Sequence, residues 1–300
     1  MFCIQLNGGL GNQMFQYAFG RALSKKHKET FVLDCSVLEN HSKTVDYTLR
    51  EFELKIFPLQ AKKASDMELK KFRMSLLSKI NLRLHRLFEV PYFFRTQTVS
   101  EVEFYSKFRG NMLSSIKTSF IGYWQSEKYF KAIESLIRSD FTFKPELNER
   151  NLKVKRRIED SNSVSIHVRR GDFVDNPSAF ETHGVCSLDY YRNAIAEVKN
   201  HVNDPVFYIF SDDCNWVRNS NLVGDSHEFI DWNQGKESYI DMQLMSYCKH
   251  NIIANSSFSW WGAWLNNYSS KMVIAPKQWF ADDVMNAQSH DLIPKNWKKI

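Results

Sequence analysis

Two Rossmann-like α/β domains are the fold this chain predicts, and three observations predict it. The first is length, since 300 residues suffice for two domains of about 150 residues each. The second is alternation: from about Ser163 onward, short apolar runs alternate with helical patterns, as βα units of a parallel sheet do. The third is the start of the chain, where an apolar run, a glycine turn and a helical stretch follow the same plan. The domains are placed at 1–150 and 151–300.

In the first half, Phe2–Leu6 reads as a strand, 12–27 as a helix after the glycine turn, and Phe31–Asp34 as a second strand. The alternation then gives way to a mostly helical stretch until Thr118–Tyr123. A charged helical link is expected near Glu146–Asp160. In the second half the strands are Val164–Val168, Val206–Phe210, Glu228–Ile230, Asn251–Ala254 and Met272–Ala275. Helices are expected near 188–201, 213–219, Tyr239–Cys248 and Phe258–Leu265.

Composition narrows the class. Hydrophobic residues make up 43% and charged residues 25%, as in an ordinary folded protein. The five cysteines are scattered without a CxxC spacing, which points to a reducing compartment. The chain opens directly on an apolar strand and has no apolar run of about 20 residues, so a soluble, cytoplasmic protein is expected. Much of the net charge of +6 falls in Lys62–Arg95, where Leu69, Phe72, Leu76, Ile80, Leu84 and Leu87 recur at helical spacing. An amphipathic helix with a basic face is expected there. It suits peripheral contact with an anionic membrane, or simply a solvated helix face. No nucleic-acid motif accompanies it.

The most informative stretch is His167-Val168-Arg169-Arg170-Gly171-Asp172, at the end of the run Val164–Val168. Alternation sends Val164, Ile166 and Val168 to one face and His167 and Arg169 to the other, so two cationic donors are expected to converge. At the carboxyl end of a parallel strand, planar guanidinium donors suit a phosphate. The plainer reading is an Arg170–Asp172 ion pair.

Four further segments carry chemistry. Gly8-Gly9-Leu10-Gly11-Asn12 lets backbone approach a phosphate at a helix start, and Asp34 mimics a ribose-binding acid. Met14 breaks that dinucleotide fingerprint, whose alternative is a tight turn. Asn255-Ser256-Ser257-Phe258 offers hydroxyls and amides to an anion, or caps the helix that follows. Asp241, the one charge in Tyr239–Cys248, reads either as a carboxylate for guanine N1–H and N2–H or as part of a capping box. Asp212-Asp213 reads as a metal-binding pair or as a strand end with a helix cap.

Together GGLGNQMFQYAFGRAL (8–23), HVRRGDF (167–173), FYIFSDD (207–213) and NSSFSWWGAWL (255–265) resemble glycosyltransferase family 11, the α-1,2-fucosyltransferases. The similarity spans the chain in order and spacing. The resemblance implies a GT-B architecture, two Rossmann-like domains facing across a cleft, with the first on the acceptor side. It implies inverting, metal-independent transfer of L-fucose from GDP-β-L-fucose to the 2-hydroxyl of a terminal galactose, in a glycan such as a bacterial surface polysaccharide. GDP-fucose is the donor substrate, and no cofactor is called for.

By the same resemblance Arg169 pairs with the diphosphate, and His167 and Asp241 help to hold GDP. Ser256, Ser257 and Phe258 line the diphosphate pocket, while Gly9, Gly11 and Asn12 contribute from the first domain. From its place beside the diphosphate strand Asp172 is the candidate base or else a structural partner of Arg170, with Asp175, Glu127 and Glu181 behind it, and Gly122–Glu127 reads as an acceptor-facing edge or as a strand end packed in the core. Two other classes stay open: an NAD-dependent oxidoreductase using the glycine turn, and a noncatalytic nucleotide-binding protein.

Overall fold

A computed structural model describes residues 1–39, 50–72, 96–101, 117–171, 174, 176–224 and 226–300. Of these, the residues up to Thr142 form one compact unit and Phe143–Ile300 a second.

The first unit runs β1 (Phe2–Gln5), α1 (Leu10–His27), β2 (Phe31–Asp34), α2 (Ser36–Glu39), β3 (Lys62–Lys63), α3 (Asp66–Lys70), β4 (Thr96–Ser100), β5 (Lys117–Ile121) and α4 (Glu134–Asp140). All the strand pairings are parallel, in the order β3-β2-β1-β5-β4. The stretch expected to be mostly helical therefore supplies two more strands. β3 has only two residues, both lysines, too short for a period to show. The amphipathic pattern expected over Lys62–Arg95 opens instead on β3 and the five-residue α3, whose Ser65 and Glu68 form a capping box. Residues 73–95 of that segment lie outside the described residues.

Residues on every side of α1 are buried, including Gln13 and Gln16, and their amides stitch loops together. Gln13 Nε2 donates to Gly8 O and Glu51 O, both at 2.8 Å, while its Oε1 accepts from Glu53 N at 3.0 Å. Near the other end, Tyr17 OH donates to the buried Asp140 at 2.7 Å, and Arg21 pairs with the same oxygen at 2.8 Å. Gly20 lets the helix lie close on the sheet, since a Cβ there would stand 2.7 Å from Ile4 and 2.8 Å from Phe31.

The second unit runs α5 (Glu149–Asp160), β6 (Asn162–Val168), α6 (Pro177–His183), α7 (Leu188–Lys199), β7 (Pro205–Ser211), α8 (Cys214–Asn219), β8 (His227–Ile230), α9 (Tyr239–Tyr247), β9 (His250–Ile252), α10 (Ser257–Leu265), β10 (Val273–Ala275), α11 (Asp283–Gln288) and β11 (Lys298–Lys299). Its parallel sheet has the order β11-β10-β9-β6-β7-β8. Each strand foreseen in this half is present to within two residues at either end. α5 corrects the expected link, because it packs on α9 with Asn151, Val154 and Ile158 buried. Its charges line the outer face, and the apolar positions four apart belong to the core.

The α1 contact yields a stability prediction. Gly20→Ala should destabilise the fold by about 1–3 kcal/mol through overpacking, read as a lower denaturation midpoint. An unchanged midpoint would mean that α1 can lift from β1 and β2 without cost.

Candidate functional site

Both sheets reverse direction beside their first strand, and ligands of open α/β sheets bind beyond the carboxyl ends of the strands at such a switch. In the second unit the switch lies between β6 and β9. Parallel pairing sets Val168 opposite Ser211, so the next residues meet as Arg169 beside Asp212 and Arg170 beside Asp213. Arg169 Nη1 lies 3.0 Å from Asp212 Oδ2, and Arg170 N donates to Asp212 Oδ1 at 2.8 Å. Arg170 Nε lies 3.2 Å from Asp213 Oδ2, with its guanidinium carbon 3.9 Å above the centre of the Trp216 ring. Asp213 also caps α8, accepting from Trp216 N at 3.1 Å.

The Asp212 and Asp213 carboxylates are engaged by the two arginines and a helix start, as the cap reading expects. Gly171 leaves room for Asp212, since a Cβ there would lie 2.6 Å from Oδ2. Asp172 and Asp175, and with them the Arg170–Asp172 pair, lie outside the described residues. Glu181 is exposed on α6.

His167 needs a correction. Val164, Ile166 and Val168 do face one core, against α7, but the opposite face of β6 is covered too. His167 is only 5% exposed, with its ring centre 5.7 Å from that of Phe258 on α10. Burial, helped by the charge of Arg169, pushes its imidazole down to about 3. It is therefore neutral near pH 7, and a single cation rather than two faces the crevice from this face. Its Nδ1 is buried without a hydrogen-bond partner among the described residues. Tyr191 OH donates to its carbonyl oxygen at 3.2 Å.

Across the switch, Ser256 caps α10, its hydroxyl accepting from Phe258 N at 3.3 Å. The cap reading of this serine holds. Ser257 and Phe258 form the first turn beside His167. Asn255 does more than its place in the motif announced: its buried Nδ2 donates to the carbonyls of His183 at 2.9 Å and Trp279 at 3.2 Å. It thereby ties two distant segments, at His183 and at Trp279, to the start of α10.

Asp241 lies in the first turn of α9, where Ser238 makes no side-chain cap, so the capping-box reading fails. Its Oδ1 instead accepts from Asn233 Nδ2 at 2.8 Å. Asn233 and Asn151 exchange amide hydrogen bonds of 2.9 and 3.1 Å, and Trp232 Nε1 donates to Asn151 Oδ1 at 3.0 Å. Sequence reading missed both asparagines, because 82 positions separate them and no motif joins them. Desolvation raises the Asp241 carboxyl to about 8, against the pull of Asn233 and with a push from Asp231. Asp241 opens the helix that follows β8, which sets it at the same carboxyl end of the parallel sheet as the arginines.

In the first unit Gly9, Gly11 and Asn12 begin α1, but an acid occupies the place of a phosphate. The Leu10 amide is hydrogen-bonded to the carboxyl of Glu53, which is flanked by Arg50 and raised by burial. Asp34 accepts from Ser36 N at 2.9 Å, serving as a local turn cap. A dinucleotide bound there would displace both contacts, so nothing in this turn favours NAD. Asn12 Oδ1 accepts from Gln125 Nε2 at 2.7 Å.

Asp241 supplies a pH prediction. Below about pH 4 its carboxyl is protonated in folded and unfolded chains alike, so it contributes no pH dependence. Between about 4 and its folded value near 8 only the unfolded chain has released the proton, so stability falls as pH rises. Asp241→Asn keeps the acceptor for Asn233 and removes that loss. Its midpoint relative to the native chain should therefore rise between pH 5 and 8; equal slopes in thermal melts would refute the shift.

The whole chain, residues 1–300, matches the family model described as glycosyl transferase family 11. It is 37% identical over 298 residues to an alpha-1,2-colitosyltransferase of Escherichia coli, covering 99% of this chain and 97% of that one. It is 34% identical to the O-antigen biosynthesis glycosyltransferase WbnK of Escherichia coli, covering 92% and 94%. Among solved structures, the NodZ alpha-1,6-fucosyltransferase of Bradyrhizobium co-crystallized with GDP superposes with a TM-score of 0.51 at 13% identity, covering 87% of this chain and 90% of that one. That likeness concerns the fold, which is of the GT-B class foreseen from the sequence. The chain belongs to glycosyl transferase family 11, and it is a glycosyltransferase.

Proposed function

We propose that the chain transfers L-fucose from GDP-β-L-fucose to the 2-hydroxyl of a terminal galactose, inverting the anomeric centre to an α-1,2 linkage. The observation that carries this reading is the Arg169 guanidinium, held by Asp212 at the carboxyl end of β6. A fixed cation there meets the charge that grows on the β-phosphate as the C1–O bond breaks and GDP leaves with the electron pair. The acceptor oxygen attacks C1 from the opposite side and gives up its proton. Asp172 is the proposed base, next in sequence to Gly171.

The remaining parts follow from their surroundings. Asp241, once ionised, accepts from guanine N1–H and N2–H, so GDP binding should release a proton. His167 stays neutral and offers its imidazole to the nucleotide, while Ser256, Ser257 and Phe258 line the diphosphate side. Gly9, Gly11 and Asn12, beside the acid Glu53, suit sugar hydroxyls better than phosphate. Arginine neutralises the leaving group, so no metal is required. The glycan proposed is a surface polysaccharide assembled in the cytoplasm, with peripheral membrane contact through Lys62–Arg95 as part of the proposal.

A second donor is favoured by a specific observation. The relative at 37% identity is named for colitose, a 3-deoxy counterpart of fucose. A GDP-linked 3-deoxy sugar is therefore the alternative donor.

Transfer assays with GDP-fucose and GDP-colitose, against galactose-terminated oligosaccharides with the linkage read by NMR, decide between them. Activity is expected to persist in excess EDTA; loss with rescue by Mn²⁺ would return Asp212 and Asp213 to a metal. Arg169→Lys should cost about 10²–10³ in turnover, because a point charge lacks the paired donors of a guanidinium. Near-normal turnover of that variant would remove Arg169 from the diphosphate.

A further inference from the structure

Asn151 and Asn233 are buried carboxamides, and the hydrogen bonds that join them form a chain with a direction. At one end Asn148 caps α5 by accepting from Asn151 N at 2.9 Å, so its Oδ1 is fixed as an acceptor and also takes Asn151 Nδ2 at 3.0 Å. From the other side the Trp232 indole, a group that can only donate, places its N–H 3.0 Å from Asn151 Oδ1. The Asn151 amide therefore fits only one way round. Arg150 covers the Trp232 ring in turn, its guanidinium carbon 3.5 Å from the ring centre.

This orientation passes to the next residue. Asn151 Nδ2 donates to Asn233 Oδ1 at 2.9 Å, and Asn151 Oδ1 accepts from Asn233 Nδ2 at 3.1 Å, which fixes the second amide as the first is fixed. Its remaining N–H then points at Asp241 Oδ1, 2.8 Å away. Turned over, Asn233 would set its carbonyl against the carboxylate and both would repel.

Asp241 ends the chain. With an N–H facing it, Oδ1 can only accept. Asp241 is partly exposed, and among the described residues its Oδ2 makes no hydrogen bond. A carboxylate held by one oxygen and open at the other presents a fixed plane of acceptors to a ligand. Apolar side chains would tie α5 to the connection between β8 and α9 without the cost of desolvating amides. What the amides add is the direction.

We infer that Trp232, Asn151 and Asn233 are positioning residues that hold Asp241 as an acceptor for two adjacent N–H donors and thereby set the preference for guanine, which rests on the proposed reading of Asp241 as the guanine contact. None of the three need touch the nucleotide.

Calorimetry on the full chain with GDP, inosine diphosphate (IDP) and ADP tests it, because IDP lacks the 2-amino donor of guanine and ADP presents an acceptor at N1. The native chain should prefer GDP. Asp241→Asn should abolish the preference, since Asn233 holds the oxygen and an amide N–H is left facing the donors of the base. Asn233→Ala should cut the margin of GDP over IDP about tenfold, as loss of a hydrogen bond to a charged group does, and leave ADP affinity unchanged. Trp232→Phe keeps a ring beneath Arg150 and removes one of the two anchors of Asn151, so it should narrow the margin by a smaller factor even if the alanine variant fails to fold. A margin lost in Asp241→Asn but intact in the folded Trp232 and Asn233 variants would overturn the relay and leave the guanine contact standing. Equal losses for GDP, IDP and ADP would reduce the asparagines to props of the fold and overturn it as well. A native chain indifferent to the base, or an Asp241→Asn variant with its margin intact, would overturn the guanine contact itself and the relay with it.

Discussion

The parallel pairing of β6 with β7, which sets Val168 opposite Ser211, is the constraint on which the candidate site depends. Hydrogen bonds in a parallel ladder fix register, and register fixes which side chains leave the sheet together. Here two arginines leave beside two aspartates. Each guanidinium is thereby oriented by a carboxylate before any ligand arrives, so little freedom remains to be lost when a phosphate is bound. Moving the register by one residue would replace Asp212 with Ser211 beside Arg169. Nothing in the arginine pair alone would then hold its geometry.

Burial follows from the same sheet. β6 is central, covered by α7 on one side and α10 on the other, so His167 loses its charge and becomes a neutral donor or acceptor. The two titratable groups of the site move in opposite directions for one reason: desolvation disfavours charge, lowering an imidazole and raising a carboxyl. Asp241 is held against that tendency by Asn233. The charges of the site are concentrated in the arginine–aspartate ladder, where the proposed diphosphate would find its counter-charge.

Much of this was legible in the sequence. Strand periodicity placed the sheet of the second unit, and the HVRRGD run marked the end of its central strand. Serine after an apolar run announced the α10 cap. What stayed hidden has physical reasons. β3 and β11 are two-residue strands made only of lysine, recruited by a neighbour's free edge rather than by any pattern of their own. The neutrality of His167 depends on α10, ninety residues away. The Asn151–Asn233 pair and the Glu53 carboxyl at α1 are long-range contacts between residues that carry no local signal. At the glycine turn a sequence shows that backbone amides are available, but not that Glu53 accepts from one of them.

Both sheets are parallel and switch beside their first strand, but they order the other strands differently and differ in what lies at the switch. In the second, guanidinium groups project from the central strand and acids are tied to them. In the first, the Glu53 carboxyl, flanked by Arg50, sits at the glycine turn. A nucleotide sugar carries its charge in the diphosphate, whereas a glycan acceptor of the proposed kind carries none. On the proposed reading the diphosphate of the donor goes to the guanidinium groups of the second unit. In the first unit Glu53 already accepts from the Leu10 amide of the glycine turn, so the shape of the turn does not by itself name a ligand.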